Sequence, residues 1–246
     1  MKPLSEVKEA LCCPRCRGEI SLSRGEITCL TCGSKYELRG GIPDFRVELC
    51  LKSLNRAQKL MYNLYAPLYD AVEGRLMRAL GAPEEDLRRL LVDFMEIEPM
   101  DKVLEVAVGT GGNIPLIEER TCGLVVGLDV SDKMIWKCLE KALTNGWRVS
   151  LVLGCAESLP FKDEFFDKVL IGGGISWYAD PIRAIYEALR VVKRGGYVVI
   201  FEQVTFLEKA LRRDRLVEAV VPPTMLIEVR SLLRGQAYMA KVAKRR

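Results

Sequence analysis

Histidine is absent from the 246 residues of this chain. Because histidine is the usual general base near neutral pH and a frequent ligand of zinc, its absence removes several kinds of site from consideration. A zinc ion could be held here only by thiolates or carboxylates, and a general base would have to be Asp, Glu, Tyr, Lys or Cys. A serine hydrolase triad that relies on histidine is not expected.

Long apolar segments are also absent. No apolar run reaches the roughly 20 residues that span a bilayer, and the first eleven residues lack the apolar core of a signal peptide. We therefore expect a cytoplasmic protein, with no membrane span, in a reducing compartment. The length suits one α/β domain of ordinary size and a small appendage.

The net charge of +4 is modest but unevenly distributed. The first 60 residues hold 11 Lys and Arg against 7 Asp and Glu, whereas the remaining residues hold 26 of each sign. The N-terminal segment therefore carries the whole cationic surplus. A local surplus of this sign is typical of surfaces that bind nucleic-acid phosphates.

Four of the nine cysteines form two C-x2-C pairs near the N-terminus, Cys13 with Cys16 and Cys29 with Cys32. Each pair places two sulfurs on one tight turn, and the twelve residues between the pairs alternate like two short strands of a hairpin. The hairpin would bring the four sulfurs around one metal ion. Because four thiolates leave no open position, the spacing predicts a structural zinc ion.

The middle of the chain contains a buried strand, a glycine turn and a second buried strand. The apolar run 103–108 is followed by Gly109 and Gly111, and the run 124–128 is followed by Asp129. Glycine lets the backbone turn tightly beside a ligand, and an acid at a strand end can accept both hydrogen bonds of a ribose diol. The pattern predicts a site for a nucleotide-like ligand, and a glycine-rich turn that binds nothing is the alternative.

A dinucleotide fingerprint does not fit this turn, which reads Glu105-x-Ala107-x-Gly109-x-Gly111. The turn resembles the first motif of class I methyltransferases that use S-adenosylmethionine (SAM). The resemblance implies an α/β, Rossmann-like fold with a seven-stranded, mostly parallel sheet and an antiparallel last strand. It also implies that Glu105 faces the amino-acid end of SAM, and that the other cofactor-binding residues are Ala107, Gly109, Gly111, Asp129, Val130, Met134, Ala156, Glu157 and Gly172.

The adenine loop departs from the family at one position. Residues 154–161 resemble the family's G-D-A-x-x-L-P-F loop, but Cys155 stands where the family has an adenine-binding Asp. A thiol is a poor hydrogen-bond acceptor. Recognition of adenine would then depend on the backbone of Ala156 or on Glu157. Further along, residues 187–196 closely match the family.

The cysteine pairs also carry a family resemblance. Together with the stretches 13–18, 29–33 and 40–44, they resemble the small Trm112-type ribbon, whose members activate methyltransferases of RNA or protein, or occur fused ahead of one. A similar arrangement is found in bacterial enzymes that methylate guanine in ribosomal RNA, although their ribbon includes histidine. We accordingly divide the chain into a zinc ribbon (1–53), a helical lid or linker (54–100) and a SAM-binding methyltransferase domain (101–246).

Helices and strands alternate after the ribbon. Helices predicted over 54–80 and 83–95 carry Arg75, Arg78, Arg88 and Arg89, which most simply form a solvated face, with phosphate binding as the alternative. Beyond the second strand we predict helices over 131–145, 179–194 and 206–219 and strands over 149–153, 166–171, 197–202, 226–233 and 236–242.

The lid supplies the candidate general bases. Residues 65–70 resemble a segment of quinone-methylating enzymes that lies over the cofactor and helps form the acceptor pocket. Asp70, Tyr65 and Tyr69 are therefore the candidate catalytic residues, and ordinary helix packing of the tyrosines is the alternative.

Three functions are compatible with the sequence. We expect a SAM-dependent methyltransferase acting on an RNA base, with the cationic zinc ribbon aiding substrate binding. One alternative keeps the enzyme but gives it a small aromatic or quinone-like acceptor. Another is a non-catalytic SAM-binding scaffold. The acceptor atom is not identified by the sequence, and the oligomeric state is left open, with a homodimer among the options.

Overall fold

The computed structural model describes residues 4–23, 25–48, 83–203, 216–222 and 225–244. Its N-terminal part contains one short helix and a meander of antiparallel strands. These elements are α1 (Leu4–Lys8), β1 (Ile20–Ser23), β2 (Glu26–Cys29), β3 (Lys35–Arg39) and β4 (Ile42–Asp44). The hairpin expected between the two cysteine pairs is confirmed by β1 and β2.

Helices and strands alternate in the rest of the described chain. The helices are α2 (Glu84–Phe94), α3 (Ile114–Glu118), α4 (Asp132–Asn145), α5 (Pro181–Val191) and α6 (Leu216–Val220). The strands are β5 (Val103–Val106), β6 (Val125–Asp129), β7 (Ser150–Leu153), β8 (Phe166–Ile171), β9 (Val192–Gln203), β10 (Leu226–Leu232) and β11 (Ala237–Ala243). None of the helices described here has both the length and the apolar character needed to cross a bilayer.

Seven strands form the expected Rossmann-like sheet in the order β7-β6-β5-β8-β9-β11-β10. Strands β5 to β9 pair in parallel, and β11 runs antiparallel to both β9 and β10. The side chains of β5 supply both faces of the sheet, since Leu104 belongs to one apolar core cluster and Val103 to the other. Burial on both faces explains why the strand is an unbroken apolar run apart from Glu105.

Local signals set several element ends. Helix α4 begins after Ser131, whose side chain accepts a hydrogen bond from the N–H of Met134, and ends at Gly146, where φ is 70°. This confirms the helix predicted over 131–145. Helix α5 is shorter than predicted, because β9 begins at Val192, several residues before the predicted start of that strand. Most of the helix predicted over 206–219 lies outside the described residues.

The ribbon extends the large sheet. Strand β4 pairs in parallel with β7 at Asp44 and Leu153, and the N–H of Phe45 donates to the carbonyl of Leu153 at 2.8 Å. Phe45 is fully buried, with its ring centroid 5.0 Å from that of Tyr36. The cysteine-rich segment and the methyltransferase segment therefore share one sheet of eleven strands within the described residues.

Two glycines with left-handed backbone differ in the space around them. Gly111, in the turn after β5, has φ +83°, and a Cβ there would lie 2.7 Å from Cys138 Sγ and 2.8 Å from a ring carbon of Trp147. Gly146 has φ +70°, and a Cβ added to it would meet no atom within 4 Å. Substitutions at these two glycines therefore separate the cost of backbone strain from the cost of steric crowding.

We predict that Gly111→Ala lowers the free energy of unfolding by about 3 kcal/mol, since strain and overpacking add. Gly146→Ala, the matched control, should lose about 1 kcal/mol, because it meets only the strain. Urea denaturation of the two variants measures both values. Equal losses would show that the turn relaxes away from Cys138 and Trp147.

Candidate functional site

The turn after β5 is held in an unusual backbone conformation. Ala107, Gly109 and Gly111 all have positive φ, at 60°, 56° and 83°. Glycine adopts this region without strain, whereas the side chain of an alanine costs about 1–2 kcal/mol there. The turn therefore needs support from outside its own residues.

Asp129, at the end of β6, provides that support. Its Oδ2 accepts a hydrogen bond from the N–H of Gly109 and its Oδ1 accepts one from the N–H of Ser131, each at 2.9 Å. Burial raises the pKa of the Asp129 carboxyl, and the backbone donors, which favour its ionised form, offset part of that rise. Because each carboxylate oxygen has a second lone pair, Asp129 can also accept hydrogen bonds from a ribose diol.

Glu105 is buried in the middle of β5, with 2% of its surface exposed. Its Oε1 accepts a hydrogen bond from Asn113 Nδ2 at 2.7 Å, and its Oε2 has no hydrogen-bond partner. Burial raises the pKa of Glu105 to about 7. A buried carboxyl with one unpartnered oxygen suits a ligand that brings a positive charge.

Helix α2 places a cation beside this acid. Arg88 Nη1 donates to Asn113 Oδ1 at 3.0 Å, and Arg88 Nη2 forms an ion pair with Glu84 Oε1 at 2.6 Å. The charge of Arg88 opposes part of the rise in the pKa of Glu105. The simplest interpretation of Arg88, as part of a solvated face, is wrong, because one side of α2 packs over the sheet. Arg89, with 46% of its side chain exposed, does face solvent.

Glu105, Arg88 and Asn113 line a cleft at the carboxyl ends of β5, β8 and β9, which α2 covers. Gly172 lies where β8 ends, and a Cβ on it would come within 3.0 Å of Glu105 Oε1. A side chain there would press against the acid. The cleft is lined by Glu84, Leu87, Arg88, Leu91, Glu105, Ala107, Val108, Gly109, Thr110, Gly112, Asn113, Gly172, Phe201 and Gln203.

The loop after β7 continues the site on the other side of Asp129. The N–H of Gly154 donates to the carbonyl oxygen of Asp129 at 3.0 Å, which holds the start of the loop against the end of β6. Cys155 is buried and disulfide-bonded, so its sulfur carries no thiol hydrogen. Glu157 is also buried, and its Oε1 accepts a hydrogen bond from the N–H of Ala179 at 3.0 Å.

The remaining predicted site residues are placed as follows. Met134 is buried in the first turn of α4, and the carbonyl of Val130 accepts a hydrogen bond from Arg46 Nη1 at 3.2 Å. Ala156 is buried in a short 3-10 turn with Glu157. Asp70, Tyr65, Tyr69 and most of the predicted 54–100 lid lie outside the described residues.

Glu84, Arg88 and Asn113 are among the cleft residues that the sequence analysis did not name as site residues. Asn113 follows the glycine turn directly, so its position in the motif was a usable signal. Glu84 and Arg88 are one helical turn apart on α2, a spacing that also fits a solvent-exposed ion pair. Only the packing of α2 over the sheet distinguishes the two interpretations.

The four ribbon cysteines come together as predicted. Their sulfur atoms all lie within 4.8 Å of one another, with Cys13 and Cys32 at 3.7 Å and Cys16 and Cys29 at 3.5 Å. A tetrahedral zinc ion with bonds of about 2.3 Å holds its sulfurs roughly 3.8 Å apart. The cluster therefore fits such an ion. Ser34 hydrogen-bonds to Cys32 and lowers the pKa of that thiol to about 6, which favours a metal-binding thiolate.

Comparison with known proteins gives a consistent result. Residues 104–200 match the family described as "Methyltransferase domain". A demethylmenaquinone methyltransferase of Thermotoga maritima is 33% identical over 152 residues, which are 61% of this chain and 63% of that protein. One from Paenarthrobacter aurescens is 32% identical over 184 residues, which are 74% of this chain and 69% of that protein.

The fold has relatives among solved structures. A SAM-dependent methyltransferase from Aquifex aeolicus superposes with a TM-score of 0.54 at 16% identity, covering 63% of this chain and 88% of that one. The chain spans slightly less than two thirds of the length of the Thermotoga relative. Because the Paenarthrobacter relative is matched over more than two thirds of its length at more than 30% identity, the chain belongs to the class I SAM-dependent methyltransferases.

Proposed function

We propose that this chain transfers the methyl group of SAM to a small quinone-like acceptor. The proposal depends on one observation, that relatives sharing about a third of their residues with the chain are named demethylmenaquinone methyltransferases. The cleft is compatible with a flat acceptor. Gly172 leaves the end of β8 open, and the aromatic ring of Phe201 lies in the same lining.

The predicted RNA base acceptor is wrong. Curated relatives are named for quinone methylation, which was the alternative acceptor. Part of the cationic charge that suggested RNA binding is paired within the protein. In the described part of the ribbon, carboxylates form ion pairs with Arg17, Lys35, Arg39 and Arg46.

Three of the predicted cofactor residues have the following roles in this proposal. Glu105 binds the ammonium group of SAM, the turn containing Gly109 admits the amino-acid chain, and Asp129 binds the ribose. SAM supplies a methyl group bonded to a cationic sulfur, which makes the reaction a displacement in line with that bond. The protein therefore contributes mainly by orienting both reactants and excluding water. Asp70, Tyr65 and Tyr69 stay candidates for the base that deprotonates the acceptor.

We further propose zinc as the ion of the ribbon and assign it a structural role. Four cysteine sulfurs surround the position and no histidine is available, so no ligand position is left for water. Tyr36 supports the site, since its hydroxyl lies 3.0 Å from Cys13 Sγ.

We predict that label from methyl-labelled SAM enters a solvent-extractable short-chain demethylmenaquinol and does not enter RNA. Asp129→Asn should reduce SAM affinity roughly tenfold, because the amide cannot accept hydrogen bonds through its nitrogen. Glu140→Gln, which changes an exposed acid of α4, is the control and should label like the unaltered protein. No labelled quinol in the presence of bound SAM would overturn the proposed acceptor.

We predict that SAM affinity rises roughly fivefold between pH 6 and pH 7. The pKa of Glu105 is raised to about 7, so the carboxylate that attracts the ligand ammonium forms only as the pH rises through that value. Glu105→Gln should bind SAM weakly with no slope over this interval. Calorimetry with 5′-methylthioadenosine, which lacks the amino-acid group, is the control and should also show no slope. A slope retained in Glu105→Gln would assign the pH dependence to another group.

We predict one zinc ion per chain, removable by a strong chelator with a fall in melting temperature of several degrees. Cys32→Ser should lower both the zinc content and the melting temperature, since it removes one of four ligands. Cys122→Ser, at an exposed free cysteine outside the cluster, should change neither. Elemental analysis and thermal denaturation give the two readouts. Full zinc content in Cys32→Ser would contradict the assigned ligand set.

A further inference from the structure

The first cysteine turn of the ribbon lies against the loop that follows β7. Ser158 Oγ donates to the carbonyl of Pro14, between the two cysteines of that turn, at 2.8 Å in a buried position. The N–H of Cys12 donates to the carbonyl of Pro160 at 2.9 Å. Two hydrogen bonds, one from the Ser158 side chain and one between backbone groups, therefore join the first cysteine turn to the loop.

Arg17 adds a third and charged connection. It follows the second cysteine of the turn, has a left-handed backbone with φ 65°, and directs its guanidinium to the loop after β7. Nη1 donates to the carbonyl of Leu159 at 2.9 Å, and Nη2 pairs with Glu187 Oε1 of α5 at 2.6 Å. Arg17 is thus a ribbon residue whose charge is used inside the methyltransferase domain.

Leu159 is held on both sides of its backbone by this arrangement. Its carbonyl accepts from Arg17, and its N–H donates to Glu187 Oε2 at 2.9 Å. Arg190 also donates to that carbonyl at 3.0 Å and pairs with Glu187 at 2.9 Å. Loss of Arg17 would therefore weaken the hold on Leu159 without abolishing it, because Arg190 keeps part of the network.

The position of Leu159 matters for the cofactor. It directly follows the 3-10 turn Ala156–Ser158, and the same loop begins at Gly154, whose N–H is bonded to Asp129. Asp129, the proposed ribose-binding acid, thus holds the start of the loop. The other end of the loop is held at Leu159 by Arg17, Glu187 and Arg190. A shift at Leu159 would displace the backbone of Ala156 and Glu157.

We propose that Arg17 is a positioning residue that couples the metal-binding turn to the adenine loop, so that SAM affinity depends on the metal state of the ribbon. The coupling follows from the order of residues in the chain, because Pro14 lies between Cys13 and Cys16 and Arg17 follows Cys16 directly. A metal ion bound by Cys13 and Cys16 would hold the tight turn, and with it the left-handed backbone of Arg17 and the carbonyl of Pro14. The proposal rests on the proposed function, because it takes residues 154–161 as the loop that contacts the adenine of SAM, as their resemblance to the family's loop implies.

The first test compares Arg17→Ala with Arg15→Ala in zinc-loaded protein. Arg15 lies in the same turn and is exposed, which makes it the matched control. Calorimetric titration should show SAM binding roughly five- to tenfold weaker in Arg17→Ala and unchanged in Arg15→Ala. Arg17→Lys should recover part of the loss, because an ammonium can still pair with Glu187 but cannot also reach the carbonyl of Leu159 as a fork.

Two further readouts separate positioning from a general loss of stability. Elemental analysis should find the full zinc content in Arg17→Ala, and hydrogen exchange should be faster over residues 155–159 and unchanged in β5 and β6. Chelation of the unaltered protein should weaken SAM binding. Chelation of Arg17→Ala should cause a smaller further loss of SAM affinity, because chelation and the substitution break the same connection.

The outcomes distinguish this inference from the proposed function. Equal SAM affinity in Arg17→Ala and the unaltered protein would overturn the coupling and leave the proposed function intact. No SAM binding by the unaltered zinc-loaded protein would instead overturn the proposed function. Should Arg17→Ala fail to fold, the partial variant Arg17→Lys and the chelation series test the coupling by themselves, and unchanged SAM affinity in both would overturn it.

Discussion

The proposed cofactor crevice depends on the hydrogen bonds that Asp129 accepts from Gly109 and Ser131. The turn after β5 contains three residues with left-handed backbone, one of them an alanine, and so cannot hold its shape by local preference alone. Asp129 satisfies a buried N–H of that turn and another at the start of α4. One carboxylate therefore positions both walls of the proposed ribose site while keeping lone pairs for the ligand.

Glu105 places a second acid in the same crevice at a cost in stability. Its carboxyl is buried, one of its oxygens lacks a partner, and burial raises its pKa to about 7. An apolar residue would serve β5 better if folding were the only requirement. Asn113 and Arg88 reduce the cost through a hydrogen bond and a nearby positive charge. A local violation of the apolar pattern is typical of a residue kept for its ligand.

The ribbon contributes to the methyltransferase domain as structure more than as a charged surface. It adds four strands to one edge of the sheet, and Arg46 pairs with Asp132 at the start of α4 at 2.8 Å. Arg17 pairs with Glu187 of α5. The two arginines thus contact the start of α4 and the loop after β7, between which the proposed adenosine site lies. Both guanidinium groups are therefore used in contacts inside the protein, which a count of charges does not reveal.

The sequence by itself determined the four-cysteine cluster, the glycine turn with Asp129 and the seven-stranded sheet. The cluster and the turn follow from spacing within a few residues or from two strands that are consecutive in the chain, whereas the seven-stranded sheet was what the family resemblance implied. Only the tertiary structure decided that Arg88 faces the cleft and that Arg17 meets Glu187, 170 positions further along. The physical reason is that the side of a helix or turn that becomes buried depends on packing against distant segments, and the pattern of polar residues is the same for a solvated face and for a buried network.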